Sequence, residues 1–370
     1  TIHNGQRSMV KANSQFTIHN SQLTRTPWEP PTGYSLYTPP TDKTTAIGAF
    51  FTQDSPSTTS DDRRIWFNNN DTPADLSDDK WFVYGKEPPV GSFYMYGYMP
   101  YNTADVSITP QTTYAAGATL TFNNMKSVST KDVCVIVGAS HGTDANTPVS
   151  LATGKFNCTM KSGKDEGNAN HLFLLCEHLY AKLDFKFKVD NSAPYYYASL
   201  RTIKLRRVEL IGYTYRLDNL SDTLKMKERG SMTVNVTANN TNTSPLSSDP
   251  ILFSLDNSAP NIDYVSLFEG EEELKSDTYT SETSYVPYFN LSGSGKVCYK
   301  LRSTYDVYDT NGNLIRKGCI AENMIVPSVR FNQKMLIRGK QYTLQLIVMP
   351  TYLYMMSEED LDNPSFTLIF

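Results

Sequence analysis

From Leu179 to Val189 the chain alternates without a slip. Leu179, Ala181, Leu183, Phe185, Phe187 and Val189 share one parity, and Tyr180, Lys182, Asp184, Lys186 and Lys188 the other. Successive side chains of an extended chain point to opposite faces, so period two sets an apolar row against a charged one. Wound as a helix, both sets would scatter around the axis and neither a core face nor a solvent face would form. The segment is therefore expected to be a strand with one wet face, and such a strand needs partners.

Partners are plentiful. Gln341–Met349 places Tyr342, Leu344, Leu346 and Val348 on one face, and Lys296–Tyr308 does the same with Val297, Leu301, Tyr305 and Val307. The latter runs into Thr310-Asn311-Gly312-Asn313, which predicts a two-residue hairpin turn, and returns as Leu314–Ile320. Gly91–Met99 sets Tyr94, Tyr96 and Tyr98 against Phe93, Met95 and Met99. Shorter strand-like runs are Phe16–Leu23, Ile47–Phe51, Arg64–Phe67, Trp81–Tyr84, Thr119–Phe122, Asp132–Val137, Lys204–Ile211, Ser231–Val236, Ile251–Leu255, Val286–Leu291 and Phe366–Phe370. Only Asp218–Lys227 passes for a short helix.

Charged residues make up 19% of the chain against 39% apolar, so Thr, Ser and Asn must supply the polar surface, a balance that favours strands over helices. Many strands separated by Gly, Pro, Asn and Ser clusters predict an all-β chain built of β-sandwiches. The 370 residues suffice for two. The break fits best at Asn191-Ser192-Ala193-Pro194, giving an N-terminal sandwich over 1–192 and a C-terminal one over 193–370. Asn239–Ser248 reads as an exposed loop.

A formal charge of −4 without a basic cluster argues against nucleic acid, whose phosphates demand a dense Lys/Arg footprint. No apolar run approaches the ~18 residues of a spanning helix, so no transmembrane helix is expected. Thr1–Ser14 lacks a charged-then-apolar pattern, which leaves a cytosolic chain or one whose export signal lies outside this sequence. Cys134, Cys158, Cys176, Cys298 and Cys319 are odd in number and show no C-x-x-C spacing, so neither a zinc site nor a disulfide framework is indicated. Pairing about Asn311-Gly312 would set Cys298 opposite Ile325, so a bridge to Cys319 would need a register shift. The five are expected to be buried thiols, with that one bridge optional.

Gly138-Ala139-Ser140-His141-Gly142 matches the G-x-S-x-G nucleophile elbow, with Asp165, Glu166, His171 and His178 downstream in hydrolase order. The motif needs a helix directly after the serine, and Thr143-Asp144-Ala145-Asn146-Thr147-Pro148 cannot start one. A glycine-containing β-turn explains it better. Ser292-Gly293-Ser294-Gly295-Lys296 resembles the tail of a phosphate loop but has Asn290 where the first glycine belongs, and it sits between strands. Asp309, Asn311 and Asn313 have calcium-loop spacing, yet Gly312 falls at the fourth place and no acid closes the loop. Ser357–Pro364 is an acidic run best read as a solvated loop. His171 and His178 lack a third ligand at metal spacing. The tyrosines at 94, 96 and 98 and at 195–197 could stack sugars, but cross-strand packing explains them without a ligand. No catalytic constellation, metal site or cofactor is expected.

Four segments together point to a family. Phe93–Tyr101 is similar to the aromatic strand ending in Pro-Tyr of Bacteroidetes fimbrillins, and Leu172–Val189, around His178-Leu179-Tyr180-Ala181-Lys182, resembles their His-x-x-Ala-Lys strand. Ile203–Tyr213 resembles the strand that follows, and Gly339-Lys340-Gln341-Tyr342-Thr343 their late Gly-Lys-x-Tyr strand. In order and spacing these cover roughly residues 16–370.

The resemblance to this fimbrillin-like, or type V pilin, superfamily implies two tandem transthyretin-like β-sandwiches and export as a lipoprotein to the cell surface or outer membrane. The lipidated cysteine would belong to the full precursor. It implies a non-enzymatic stalk, tip or anchor subunit of a fimbria, whose partners are other fimbrial subunits and a host or bacterial surface ligand. Stalk members of the family lose their first strand to an arginine-directed protease, and the groove accepts a neighbour's strand. Here Arg25, in Leu23-Thr24-Arg25-Thr26-Pro27 directly after the strand-like Phe16–Leu23, is the maturation candidate; a cut at Arg7 would leave that strand attached. Phe366, Thr367, Leu368, Ile369 and Phe370 alternate at the C-terminus and read equally as a donor strand or as the chain's own last strand. A surface carbohydrate-binding lipoprotein using exposed aromatics is the alternative, and a hydrolase built on Ser140 a third.

Overall fold

The computed structural model describes residues 18–22, 48–52, 63–68, 80–83, 91–99 and 105–349, apart from 145–146, 149, 153, 161–171, 194–195, 217–218, 239–251, 290–294 and 328–335. The chain is all-β, as its alternation and composition require; α1 (Tyr197–Leu200) is a single helical turn.

Among the described residues, four sheets carry the fold. In the first, β1 (Ile18–Gln22) lies beside β21 (Lys340–Val348), then β12 (Ala181–Val189), then β18 (Thr280–Val286). The second runs β11 (Leu172–His178), β8 (Cys134–Asp144), β5 (Gly91–Met99), β2 (Gly48–Thr52), β3 (Arg63–Asn68), β4 (Lys80–Val83), with β10 (Asn157–Met160) on β5 and β9 (Thr147–Pro148) on β8. The third orders β14 (Asn219–Lys225), β13 (Thr202–Arg216), β19 (Gly295–Tyr308) and β20 (Leu314–Ile325), with β17 (Val265–Glu273) also on β13. The fourth is β16 (Phe253–Leu255), β15 (Arg229–Thr237), β7 (Gly117–Lys126) and β6 (Asp105–Pro110).

Two of these sheets draw strands from both sides of 192/193. β12 pairs β18 antiparallel and β21 in parallel, and β7 pairs β15 antiparallel. Buried side chains from all four sheets, among them Tyr96, Phe122, Phe185, Leu210 and Leu344, form one contiguous core.

The alternating strand behaves as its sequence demands, with one refinement. Ala181, Leu183, Phe185, Phe187 and Val189 are fully buried. Leu179 and Tyr180 are buried too, but they form the bend through which the chain passes from β11 into β12. The opposite face is not uniformly wet, because Asp184 is also buried. Its register partner on β21 is Thr343, and its carboxylate accepts from Gln341 Nε2 at 3.1 Å and Thr343 Oγ1 at 3.4 Å. A buried carboxylate is tolerable when it is hydrogen-bonded in this way.

The β19–β20 hairpin corrects two expectations. Its turn is the loop Asp309–Asn313 rather than two residues at Asn311-Gly312. Asp309 Oδ1 accepts from the backbone N–H groups of Asn311 and Asn313, each at 2.8 Å, and Gly312 supplies the positive φ of 83°. Two register shifts follow along the ladder, and Gly318 (φ 68°) donates its N–H to Asp306 Oδ1 at 2.8 Å. Tyr305 thus faces Cys319 and Tyr299 faces Ile325, so the optional Cys298–Cys319 bridge does not form and all five cysteines are free. Asp218–Lys227 is also corrected: Asn219–Lys225 is strand β14, held by pairing to β13. Of the strand expected over Val286–Leu291, only Val286 is in a strand among the described residues. β18 ends at Val286, and Phe289 forms a lone parallel bridge to Phe253.

Candidate functional site

Sheet edges are where a β-protein can take up another chain, because an unpaired ladder offers free N–H and C=O groups. β1 occupies such an edge in the first sheet. It pairs antiparallel with β21 in a five-rung register from Ile18↔Leu344 to Gln22↔Lys340, and lies at the end of the strand order. β21 has β12 on its other side, so β1 is the sole cover of its outer ladder over Lys340–Leu344 among the described residues. Arg25 follows β1 by three residues in sequence but lies outside the described residues, as do Arg7 and Phe366, Thr367, Leu368, Ile369 and Phe370.

The elbow-like motif is not a turn of either kind. Gly138–Gly142 lies inside the continuous strand β8, opposite β11, with a bulge at Leu175/Cys176. Ser140 is 3% exposed; its hydroxyl donates to the His141 carbonyl at 3.0 Å and accepts from Ser150 N–H at 3.2 Å. His141 Nδ1 is engaged by the Thr159 N–H at 3.0 Å. Asp165, Glu166 and His171 lie outside the described residues. Gly138 has a packing reason of its own, since a Cβ there would stand 2.5 Å from the Ala152 carbonyl oxygen. Gly138→Ala should therefore cost about 1–3 kcal/mol in denaturant unfolding. Ser140→Ala should cost only about 1, and neither substitution should change a basal ester hydrolysis assay.

The tyrosine row does not form a sugar platform. Tyr96 and Tyr98 are buried and Tyr94 half-buried. The Tyr96 hydroxyl donates to the Tyr114 carbonyl, and its ring packs 4.6 Å from that of Phe156. Tyr197 is buried, Tyr196 is 51% exposed, and Tyr195 lies outside the described residues. The Ser357–Pro364 acidic run does too.

One cluster went unforeseen. Cys134 opens β8, and its register partner is His178, the last residue of β11; Asp132 sits two residues before Cys134. Asp132 Oδ2 meets His178 Nδ1 in a hydrogen bond, Cys134 Sγ lies 3.4 Å from the same Nδ1, and 3.6 Å from Asp132 Oδ2. The ligand atoms of all three residues fall within 4.8 Å of one another. The hydrogen bond to Asp132 raises the His178 pKa against the opposing effect of burial. Burial, and then the Asp132 charge, push the Cys134 thiol far up, so it is protonated at neutral pH. A nucleophilic cysteine needs the reverse, and a triad needs its acid and its nucleophile on different imidazole nitrogens. Here both meet Nδ1. On the same face, Met99 pairs with Cys134 across β5–β8, and Cys176 Sγ approaches Met99 Sδ at 3.9 Å. Burial lifts the Cys176 thiol to about 12.

No helix among the described residues is long and apolar enough to cross a membrane. No protein-family model and no curated protein matches the chain. Among solved structures, it is similar to a proposed cell adhesion protein from Bacteroides uniformis, at 12% identity over 84% of this chain and 88% of that one, with a TM-score of 0.35. A proposed cell adhesion protein from Parabacteroides distasonis is 8% identical over 89% and 86% (TM-score 0.26), and a major pilin from Streptococcus pyogenes 10% identical over 83% and 93% (TM-score 0.16). Likeness at this level carries no argument about role.

Proposed function

We propose that the chain is a non-enzymatic structural or adhesive subunit of a cell-surface fimbria, assembled by strand exchange. The observation that carries this reading is the place of β1, a strand at a sheet edge whose one strand partner among the described residues is β21. Losing it would leave the outer ladder of β21 unpaired over Lys340–Leu344, and a strand from a second subunit would restore those hydrogen bonds. In this proposal the cut falls after Arg25, and Phe366–Phe370 of a neighbour is the incoming strand. The two parts 1–192 and 193–370 would be transthyretin-like units that lend strands to each other, since β12 and β7 both pair with strands beyond 192. Export and a lipid anchor on the precursor belong to the same proposal.

The test is limited digestion with an arginine-specific protease, followed by native gels. The cut chain should form a ladder of oligomers, an Arg25→Ala chain should not, and added peptide spanning residues 16–25 should stop growth. A cut chain that stays monomeric would remove the stalk role. Truncation before Phe366 separates the two readings of the C-terminus: loss of oligomers with unchanged monomer stability marks a donor, whereas loss of stability marks the chain's own last strand.

A further inference from the structure

We propose that Asp132, Cys134 and His178 form a binding site for a divalent cation of the zinc class. The argument is geometric. Around tetrahedral zinc, with metal–nitrogen near 2.0 Å and metal–sulfur near 2.3 Å, the ligand atoms stand about 3.5 Å apart. Cys134 Sγ lies 3.4 Å from His178 Nδ1 and 3.6 Å from Asp132 Oδ2, two edges of that figure; the third pair, His178 Nδ1 and Asp132 Oδ2, is joined by a direct hydrogen bond and has to part as the proton leaves and a cation enters. All three donor atoms lie within 4.8 Å of one another. Nδ1 has one proton or one lone pair to give, yet two partners crowd it.

The donor set fits the same cation. A thiolate, an imidazole and a carboxylate together suit zinc, whereas magnesium and calcium take oxygen almost alone. The other oxygen of Asp132, Oδ1, is buried without a hydrogen-bond partner, as a carboxylate would be that awaits a charge. The site is rigidly framed, because Cys134 and His178 are directly paired on adjacent strands and the Leu179 N–H donates to the Val133 carbonyl at 2.7 Å just behind them. It is also reachable, with the His178 side chain 40% exposed and that of Asp132 22%. Three protein ligands leave a fourth position for water or a further ligand. Binding expels the thiol proton and the proton shared by His178 and Asp132, so no redox partner is involved and affinity rises with pH.

Cobalt(II) titration of the untagged full chain tests this, since cobalt takes zinc sites and a bound thiolate gives a near-ultraviolet charge-transfer band. The wild-type chain should develop the band to saturation at one equivalent and lose it to added zinc. Cys134→Ser should abolish the band, and His178→Gln and Asp132→Asn should weaken binding by more than the ~100-fold that marks the upper end for loss of a mere supporting partner. Cys298→Ser, in β19 of another sheet, should leave it intact. Zinc should raise the melting temperature of the wild-type chain and of Cys298→Ser but not of Cys134→Ser, so a fold effect is read separately from a ligand effect. A folded wild-type chain without the band, a band that survives in Cys134→Ser, or a Cys134–Cys176 disulfide found by mass mapping would each overturn the assignment.

Discussion

Phe185→Ala should lower the unfolding free energy by about 3–5 kcal/mol, and Phe185→Asp by more, because the latter adds a buried charge to the cavity. Phe185 is fully buried at the centre of β12, with β18 on one side and β21 on the other. Neither neighbour can collapse into the space without giving up its own ladder. The companion substitution is Lys188→Gln on the opposite face. It forfeits only the ammonium 5.0 Å above the Tyr279 ring, worth about 1 kcal/mol or less. Sequence alone would nominate Lys186→Asp as the harmless partner, but Lys186 Nζ lies 3.8 Å from the buried Asp184 carboxylate, and a second carboxylate there would repel it. Denaturant midpoints at unchanged m-value measure both changes. Equal losses at Phe185 and Lys188 would mean that β12 has no inside and no outside.

The strands legible in sequence are those whose partners bury one face. Gly91–Met99, Lys296–Tyr308 and Gln341–Met349 lie within a residue of β5, β19 and β21, because period two survives wherever a core takes every second side chain. β17 shows why others were missed. Val265–Glu273 is largely exposed and carries four glutamates, so no apolar row marks it. It is held by its ladder to β13 and by Val265, Leu267 and Phe268 packing on the core, and its exposed end is matched by charge: Glu271 with Lys204 and Arg206, and Glu269 with Arg207. Such matching is visible only once the register is known. Sheet membership is the other illegible level. The break at Asn191–Pro194 is a good turn signal, but nothing local says that β12 will find β21 more than 150 residues later, in parallel (on the order of a loop closure costing little extra with length).

The same limit governs the sites. Phe16–Leu23 was legible as a strand, and its edge position was not, since edges are set by who pairs with whom. Cys134 and His178 have no metal-ligand spacing along the chain, because they are paired across the sheet. In sequence, Cys134 lies inside the strand-like run Asp132–Val137 and His178 directly precedes Leu179–Val189, and nothing local says that the two will pair. The elbow-like motif has no helix after its serine and lies in a strand interior, where the sequence predicts a turn. Gly138 earns its place by the close passage of the Ala152 carbonyl.

Arg338→Ala should cost about 3–5 kcal/mol, the penalty of leaving a buried charge without its partner. Arg338 Nη1 meets Glu177 Oε2 at 3.1 Å, and the two side chains are only 11% and 8% exposed. Glu177 belongs to β11 in the second sheet, while Arg338 stands in the turn that launches β21 in the first. The adjacent Gly339 N–H donates to the Tyr180 carbonyl at 2.8 Å, so this turn pins the start of β21 to the bend between β11 and β12. Replacing both charges, as Glu177→Gln with Arg338→Met, should recover most of the loss, since desolvation of the pair offsets much of its attraction. The cycle of single and double variants reads the coupling directly. It also bears on assembly. Lys340 pairs with Gln22 at the end of the β1 ladder. Freeing the turn should therefore speed hydrogen exchange first in β1 and the outer ladder of β21, before the core strands respond. If Arg338→Ala changes stability by less than about 0.5 kcal/mol, the pair behaves as a solvated surface contact and the turn is held by its backbone alone.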